Sequence, residues 1–114
     1  MDYNVEFAEV DVTVVQGNDI DLTYSVTDNG VAFDLTGIRL DMNVIDVASG
    51  TSVKTWSSVG TSPAITISTS SFNILDTTGF PNAGFFRGEL VNNTSDYTIA
   101  FFDFIVRQRI TTLS

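Results

Sequence analysis

Residues 30–44 read GVAFDLTGIRLDMNV. Phe33 and Leu35 stand two apart after the turn residue Gly30, and Thr36-Gly37 interrupts them. Ile38, Leu40, Met42 and Val44 then alternate with Arg39, Asp41 and Asn43. A period of two is the mark of a strand with one face on a core and the other in water. The interruption reads as a corner. Asp34 and Thr36 carry short side chains suited to hydrogen-bonding nearby backbone amides in a bend. Gly30 and Gly37 allow conformations that side chains penalise. Leu35 is then expected to turn into the core between two strands. On this reading the corner sets architecture, and its regularity says nothing about an active site.

The same pattern extends to both sides. In DIDLTYSVT, residues 19–27, Ile20, Leu22, Tyr24 and Val26 share one face, and Asp19, Asp21, Thr23 and Ser25 share the other. Beyond the corner come a turn, ASGTS, a short strand, VKTWSSV, and a strand in PAITIST with Ile65 and Ile67 on one face. FFRGELVNN is expected to pair with YTIAFFDFIVRQRI through a hairpin at NTSD. The least regular stretch is SFNILDTTGFPNAG, where Ser70 or Ser71 is a candidate cap for one short helical turn. Thr77, Thr78, Gly79 and Pro81 stop any longer helix. About seven to nine strands, with turn signals roughly every 8–12 residues, predict an all-β, immunoglobulin-like antiparallel β-sandwich. Residues 1–10 read as an N-terminal arm and residues 11–114 as a single sandwich domain.

A length of 114 residues with 43% hydrophobic residues, nine Phe among them, suits one core. No apolar run approaches the ~20 residues needed to span a membrane. The start, MDYNVEFAEVD, has neither a basic nor an apolar leader region, so synthesis in a cytoplasm without secretion is expected. Fourteen acidic against five basic side chains give a net charge of −9, which disfavours phosphate backbones and anionic lipid as partners. The charge suits plain solubility and also suits docking onto a basic surface; charge alone does not separate them. With no cysteine there is no disulfide and no thiolate metal site.

Candidate chemistry is sparse. The chain has no histidine, the commonest general base, and no cysteine nucleophile. The carboxylate pairs Asp19/Asp21, Asp41/Asp46 and Asp96/Asp103 remain, but a glycosidase needs its two carboxyls to face each other across a cleft. Asp19 and Asp21 lie two apart on the watery side of one strand. No EF-hand loop, P-loop or dinucleotide fingerprint occurs, so no metal and no cofactor is expected, and no enzyme activity. Trp56, Phe80 and Phe85 suit either a sugar-stacking platform or a core.

Two stretches are oily on both sides. VDVTVVQG carries Val10, Val12, Val14 and Val15. YTIAFFDFIV carries Tyr97, Ile99, Phe101 and Ile105 on one face and Ala100, Phe102, Phe104 and Val106 on the other. A doubly apolar strand calls for covering, by the N-terminal segment or by a neighbouring subunit. Tyr3, Val5 and Phe7 alternate strictly, which suits a lid on this sandwich or an added strand on a neighbour's sheet. The candidate partner interface is therefore Tyr3, Val5, Phe7, Phe102 and Phe104. Arg107 and Arg109 join it at the end of the last strand, placed for ion pairs with an acidic neighbour.

The order of these signals resembles a group of small bacteriophage virion domains, similar to the N-terminal domain of baseplate upper proteins and of some tail-fibre and receptor-binding proteins. The residues that carry the resemblance are Gly17, Asp19, Gly30, Asp34, Leu35, Thr36, Gly37, Ile65, Ile67, Gly84, Phe86, Glu89, Leu90, Ile110 and Thr111. It runs over about residues 16–111. Members of that group often continue into a fibre or receptor-binding region, whereas this chain stops at Ser114, which points to an accessory subunit. The resemblance implies a non-enzymatic structural protein of the virion, made in the host cytoplasm. It would sit at the baseplate, neck or tail fibre, forming homo-oligomers and docking onto other virion proteins. Alternatives are a capsid-decoration or head-fibre protein, a carbohydrate-binding module and a small inhibitor of a host protein. No nucleic-acid or membrane contact is expected.

Overall fold

Alternation organises almost the whole chain, and ten strands run through the computed structural model, which describes residues 8–28 and 30–109. One sheet holds β1 (Ala8–Val15), β10 (Tyr97–Arg107), β9 (Gly84–Asn92), β5 (Leu40–Asp46) and β6 (Ser52–Ser57), side by side in that order. The other holds β2 (Ile20–Ser25), β8 (Ser71–Asp76) and β7 (Ile65–Ser68). β3 (Thr27–Asp28) and β4 (Val31–Ala32) form a short ribbon beside them. The result is an immunoglobulin-like β-sandwich. One pairing departs from the antiparallel expectation: β1 runs parallel to β10, with Val12 opposite Phe104. The first and last long strands meet at the sheet edge, and both run the same way.

The core lies between the two sheets. Leu40, Met42 and Val44 of β5 and Leu90 of β9 are fully buried, as are Ile65 and Ile74 of the facing sheet. Tyr24 of β2 meets Phe102 of β10 edge-on at 5.0 Å, and Phe72 of β8 stands 6.5 Å from the same ring. Phe80, from the β8–β9 connection, stacks on Phe86 at 4.8 Å and lies 5.3 Å from Phe104. Each such side chain contributes about 1.5–3 kcal/mol by leaving water. Gly88 leaves room for this packing, since a β-carbon there would sit 2.7 Å from Met42 Sδ and 3.3 Å from Phe104 Cε2.

The corner at 33–39 is built from short-range hydrogen bonds. The Thr36 N–H donates to Asp34 Oδ1 at 2.9 Å, and the Ile38 N–H to the Leu35 carbonyl at 3.0 Å. Gly37 takes φ 78° and Gly30, in the ribbon turn, φ 80°. Leu35 is fully buried, and its N–H donates to the Thr69 carbonyl at the end of β7. The corner thus straps the crossing chain to the three-stranded sheet before β5 enters the five-stranded one.

Three expectations are corrected. The stretch after Ser70 is β8, the middle strand of its sheet, and not a helical turn. Phe72 and Ile74 point inward, and β2 and β7 pair with its two sides. The strand β1 begins at Ala8, inside the expected arm of residues 1–10, because residues 8–10 pair with 100–102 of β10. Phe102 and Phe104 are not at a partner interface. Both are 1% exposed, because the even-numbered face of β10 is the one that meets Tyr24, Phe72, Trp56 and Phe80. Tyr3, Val5 and Phe7 lie outside the described residues, as do Ile110 and Thr111.

Candidate docking surface

The sandwich has two outward faces. On the three-stranded sheet the outward residues are Asp21, Thr23 and Ser25 of β2, Asn73 of β8, and Thr66 and Ser68 of β7. Asn73 donates to Asp21 Oδ1 at 2.7 Å and to Thr23 Oγ1 at 3.0 Å, so the polar groups answer one another. Leu75 is the exposed large apolar residue among the described residues of that sheet.

The five-stranded sheet differs. Its register sets outward residues in rows across β1, β10, β9 and β5. One row is Glu9, Phe101, Glu89 and Asn43. The next is Asp11, Asp103, Arg87 and Ile45. The third is Thr13, Ile105 and Phe85, with Val47 beside Phe85 through a backbone hydrogen bond of 3.1 Å. The last is Val15 and Arg107. Phe85 is 66% exposed and Val47 56%. Val53 on β6 and Val15 on β1 are exposed as well, and Ile45, Phe101 and Ile105 are half-buried. Phe85, Ile105, Ile45 and Val47 thus stand next to one another on this face, which makes it the candidate docking surface.

Charge frames this face. The Arg87 guanidinium lies over the Phe101 ring at 4.6 Å. It reaches Glu9 at 3.4 Å and stands 3.7 Å from Asp103. Arg87 Nε is shielded from water with no hydrogen-bond partner. Pairs as exposed as these contribute about 0–1 kcal/mol. Arg107 is exposed at the far end of β10 and has no side-chain partner among the described residues. Arg109 is committed elsewhere. It donates to the Gln16 carbonyl at 3.2 Å and to Asn18 Oδ1, and so clamps the β1–β2 turn. Of the seven candidate interface residues, then, Arg107 alone is exposed with its side chain uncommitted among the described residues.

The sugar platform does not assemble. Trp56 is 3% exposed and Phe80 fully buried, which leaves Phe85 alone on the surface. Trp56 Nε1 donates to Asp76 Oδ2 at 2.7 Å, and Lys54 Nζ stands 2.9 Å from the same oxygen. This cluster ties β6 of one sheet to β8 of the other. Burial pushes the Asp76 carboxyl up, but hydrogen bonds from Thr78, Lys54 and Trp56 outweigh it and hold it far below the usual carboxylate range. Of the candidate carboxylate pairs, Asp41/Asp46 is occupied with structure. Asp41 accepts from Arg39 and Asn93, and Asp46 Oδ1 from the Ala48 N–H. Among the described residues no three His, Cys, Asp or Glu side chains converge on a metal position. An open groove between the corner and β7, lined by Ile38, Arg39, Val59, Pro63 and Ile67, offers Arg39 as its one ionisable group.

The residues that shape the face, namely Phe85, Ile105, Ile45, Val47 and Arg87, are only partly signalled in the sequence. Ile105 belongs to the second oily side of the last strand, and Phe85 to the set of surface-competent aromatics. Ile45 and Val47 follow Val44 with no polar residue alternating between Val44 and Ile45, a small break that marks apolar groups on both sides of β5.

No family model and no curated protein matches the chain. Similar solved structures include the ZIG-8 IG1 homodimer, 15% identical over 94% of this chain and 87% of that one, with a TM-score of 0.43. The extracellular domain of the voltage-gated sodium channel β4 subunit is 16% identical over 96% and 99%, with a TM-score of 0.46. The first immunoglobulin-like domain of human CD48 antigen is 10% identical over 100% and 93%, with a TM-score of 0.38. At these identities and scores the likeness says nothing of what this chain binds.

Proposed function

We propose that the protein is a non-catalytic structural domain that works by docking, as a subunit of a bacteriophage particle. The observation that carries the docking half is the cluster of Phe85, Ile105, Ile45 and Val47 on the outer face of the five-stranded sheet, set against the polar face of the other sheet. The virion half rests on the resemblance of residues 16–111 to phage baseplate and tail-fibre domains, above all the corner from Gly30 to Gly37. Partners are then other proteins of the particle, copies of this chain included. Phe85, Ile105, Ile45 and Val47 are the residues that would leave water on docking. Capsid decoration is the second position compatible with the same surface; tail genes or capsid genes beside the coding sequence distinguish the two. The sugar-binding reading loses its support with Trp56 and Phe80 in the core.

The test is co-sedimentation. A tagged chain is expressed in cells producing the particle, and the particles are banded on a density gradient. The expected result is a fixed stoichiometry of the chain in the particle band, lost in Phe85→Ser. A chain found only in the soluble fraction would overturn the reading.

A further inference from the structure

The outer face of the five-stranded sheet is ordered by charge as well as by polarity. Its first row carries Glu9 and Glu89, and its second Asp11 and Asp103 with Arg87 between strands. The third row, Ile105 and Phe85, is uncharged, and Arg107 stands one row beyond it. The face therefore runs from acidic, through apolar, to basic along β10. Of the five Lys and Arg in a chain of net charge −9, Arg107 is the one at this end of the face with its side chain uncommitted among the described residues; Arg87 lies in the acidic row and Arg109 is held by the β1–β2 turn. A foreign basic partner would need no such ordering. A surface that reads backwards as its own electrostatic complement fits a second copy of itself.

We infer that this face binds a second copy of the chain, antiparallel, about a two-fold axis lying across the strands over Ile105 and Phe85. This deepens the docking reading and rests on it. In this arrangement Ile105 and Phe85 meet their own counterparts in the partner. Alternate residues of a strand are about 7 Å apart, so a side chain one row past the axis lies over the one a row before it in the partner. Arg107 thus lies over the partner's Asp103, with the partner's Asp11 next to it on β1, and the same contact repeats by symmetry. Packed sheets rotate by about 30°, which at 7 Å from the axis displaces the pair by about 4 Å, within reach of an arginine. A two-fold parallel to the strands and over β10 would set Arg107 on the partner's Arg107 and Asp103 on the partner's Asp103, which like charges disfavour. Moved between β9 and β10, it would pair Asp103 with the partner's Arg87 but leave Arg107 with no counter-charge.

Sedimentation velocity on the full chain, from ~1 µM to ~1 mM, tests this. The expected result is a monomer–dimer equilibrium within that range, with Phe85→Ser raising the dissociation constant at least about tenfold because the residue counts twice at the axis. Arg107→Asp and Asp103→Arg are each expected to weaken the dimer by about tenfold or more. Their equimolar mixture is expected to form a heterodimer of native affinity, because both cross-axis contacts are again of opposite sign. Melting curves verify that each variant is folded. Should Asp103→Arg melt lower because it faces Arg87, the double variant Arg87→Gln/Asp103→Arg replaces it in the mixture. A wild-type chain that stays monomeric throughout overturns the inference. So does a dimer indifferent to Phe85→Ser, or a mixture that stays monomeric. None of these touches the co-sedimentation result, which judges the docking reading by itself.

Discussion

The two outward faces of this sandwich come from strands of the same kind, yet they are finished differently. On β2, β7 and β8 the outward positions are Asp21, Thr23, Ser25, Thr66, Ser68 and Asn73, several of them hydrogen-bonded to one another. On β9, β10 and β5 they include Phe85, Phe101, Ile105 and Ile45. Antiparallel sheets of a free domain normally leave the outer face polar. The three-stranded sheet follows that rule, and so shows that the fold does not require an oily exterior. The apolar residues opposite are thus not needed to close the core, which Phe80, Phe102 and Phe104 already fill. They are the surface on which the docking proposal rests.

The sharpest division runs through neighbouring residues of a single strand. Phe104 is 1% exposed and touches Trp56, Phe80 and Phe102, while Ile105 beside it points outward. Phe104→Ala is expected to cost about 3–5 kcal/mol of stability in urea unfolding, the range for an aromatic truncated in a core. Ile105→Ala is expected to cost far less in the monomer. Equal losses would mean that both sides of β10 are core, and the distinction between the faces would fail.

The polar cluster between the sheets comes next in size. Asp76 accepts from Trp56, Thr78 and Lys54, and the Lys54 and Asp76 side chains are each 12% exposed. Asp76→Asn keeps the acceptor for Trp56 but leaves Lys54 without its counter-charge, a loss of about 3 kcal/mol at neutral pH. The pH dependence has a definite sign. The folded carboxyl is depressed, so its contribution is complete above the unfolded value of about 3.9 and drains away as pH falls below it. Wild type is expected to lose stability more steeply than Asp76→Asn as pH falls from about 5 to about 2. Parallel acid limbs would remove Asp76 as their source.

Gly88 tests how tightly the inner face is filled. Its missing β-carbon would fall 2.7 Å from Met42 Sδ, and Met42 itself has no exposure. Gly88→Ala is expected to cost about 1–3 kcal/mol by overpacking, read from the urea midpoint. A neutral substitution would show that Met42 has space to retreat.

What the residues reveal by themselves follows the range of the interaction. The corner is legible because its bonds span two or three positions: Asp34 to Thr36, Ile38 to Leu35. The β9–β10 hairpin is legible because NTSD separates two strong strands. The parallel pairing of β1 with β10 joins residues about ninety apart, and no local pattern announces it. The last strand shows the deeper limit. Alternation sorts its residues into two sets, but both sets are oily, and nothing in the strand says which is inward. That choice is made by Tyr24, Phe72, Trp56 and Phe80 on other elements, which claim Phe102 and Phe104. SFNILD misleads for a related reason, since Leu75 continues the apolar run on the outward side of a middle strand.

The smallest expected effect sharpens the comparison most. Leu75 and Phe85 are both large, apolar and exposed, at 48% and 66%, one on each outer face. Surface substitutions away from packed or charged networks usually change stability by no more than about 0.5 kcal/mol, so Leu75→Ser and Phe85→Ser are expected to leave the monomer's unfolding midpoint nearly unchanged. Only their neighbourhoods differ. Leu75 has Asp21 opposite it on β2 and the small Ala64 hydrogen-bonded on its other side, with no second large exposed apolar residue among the described residues of its sheet, and single exposed apolar residues of that kind are ordinary. Phe85 has Ile105 opposite it on β10 and Val47 hydrogen-bonded beside it. If contiguity makes a docking face, Phe85→Ser weakens association in sedimentation by at least about tenfold and Leu75→Ser leaves it untouched. If exposed apolar area alone drives association, both variants weaken it in proportion to the area removed, and the two faces of the sandwich are equivalent after all.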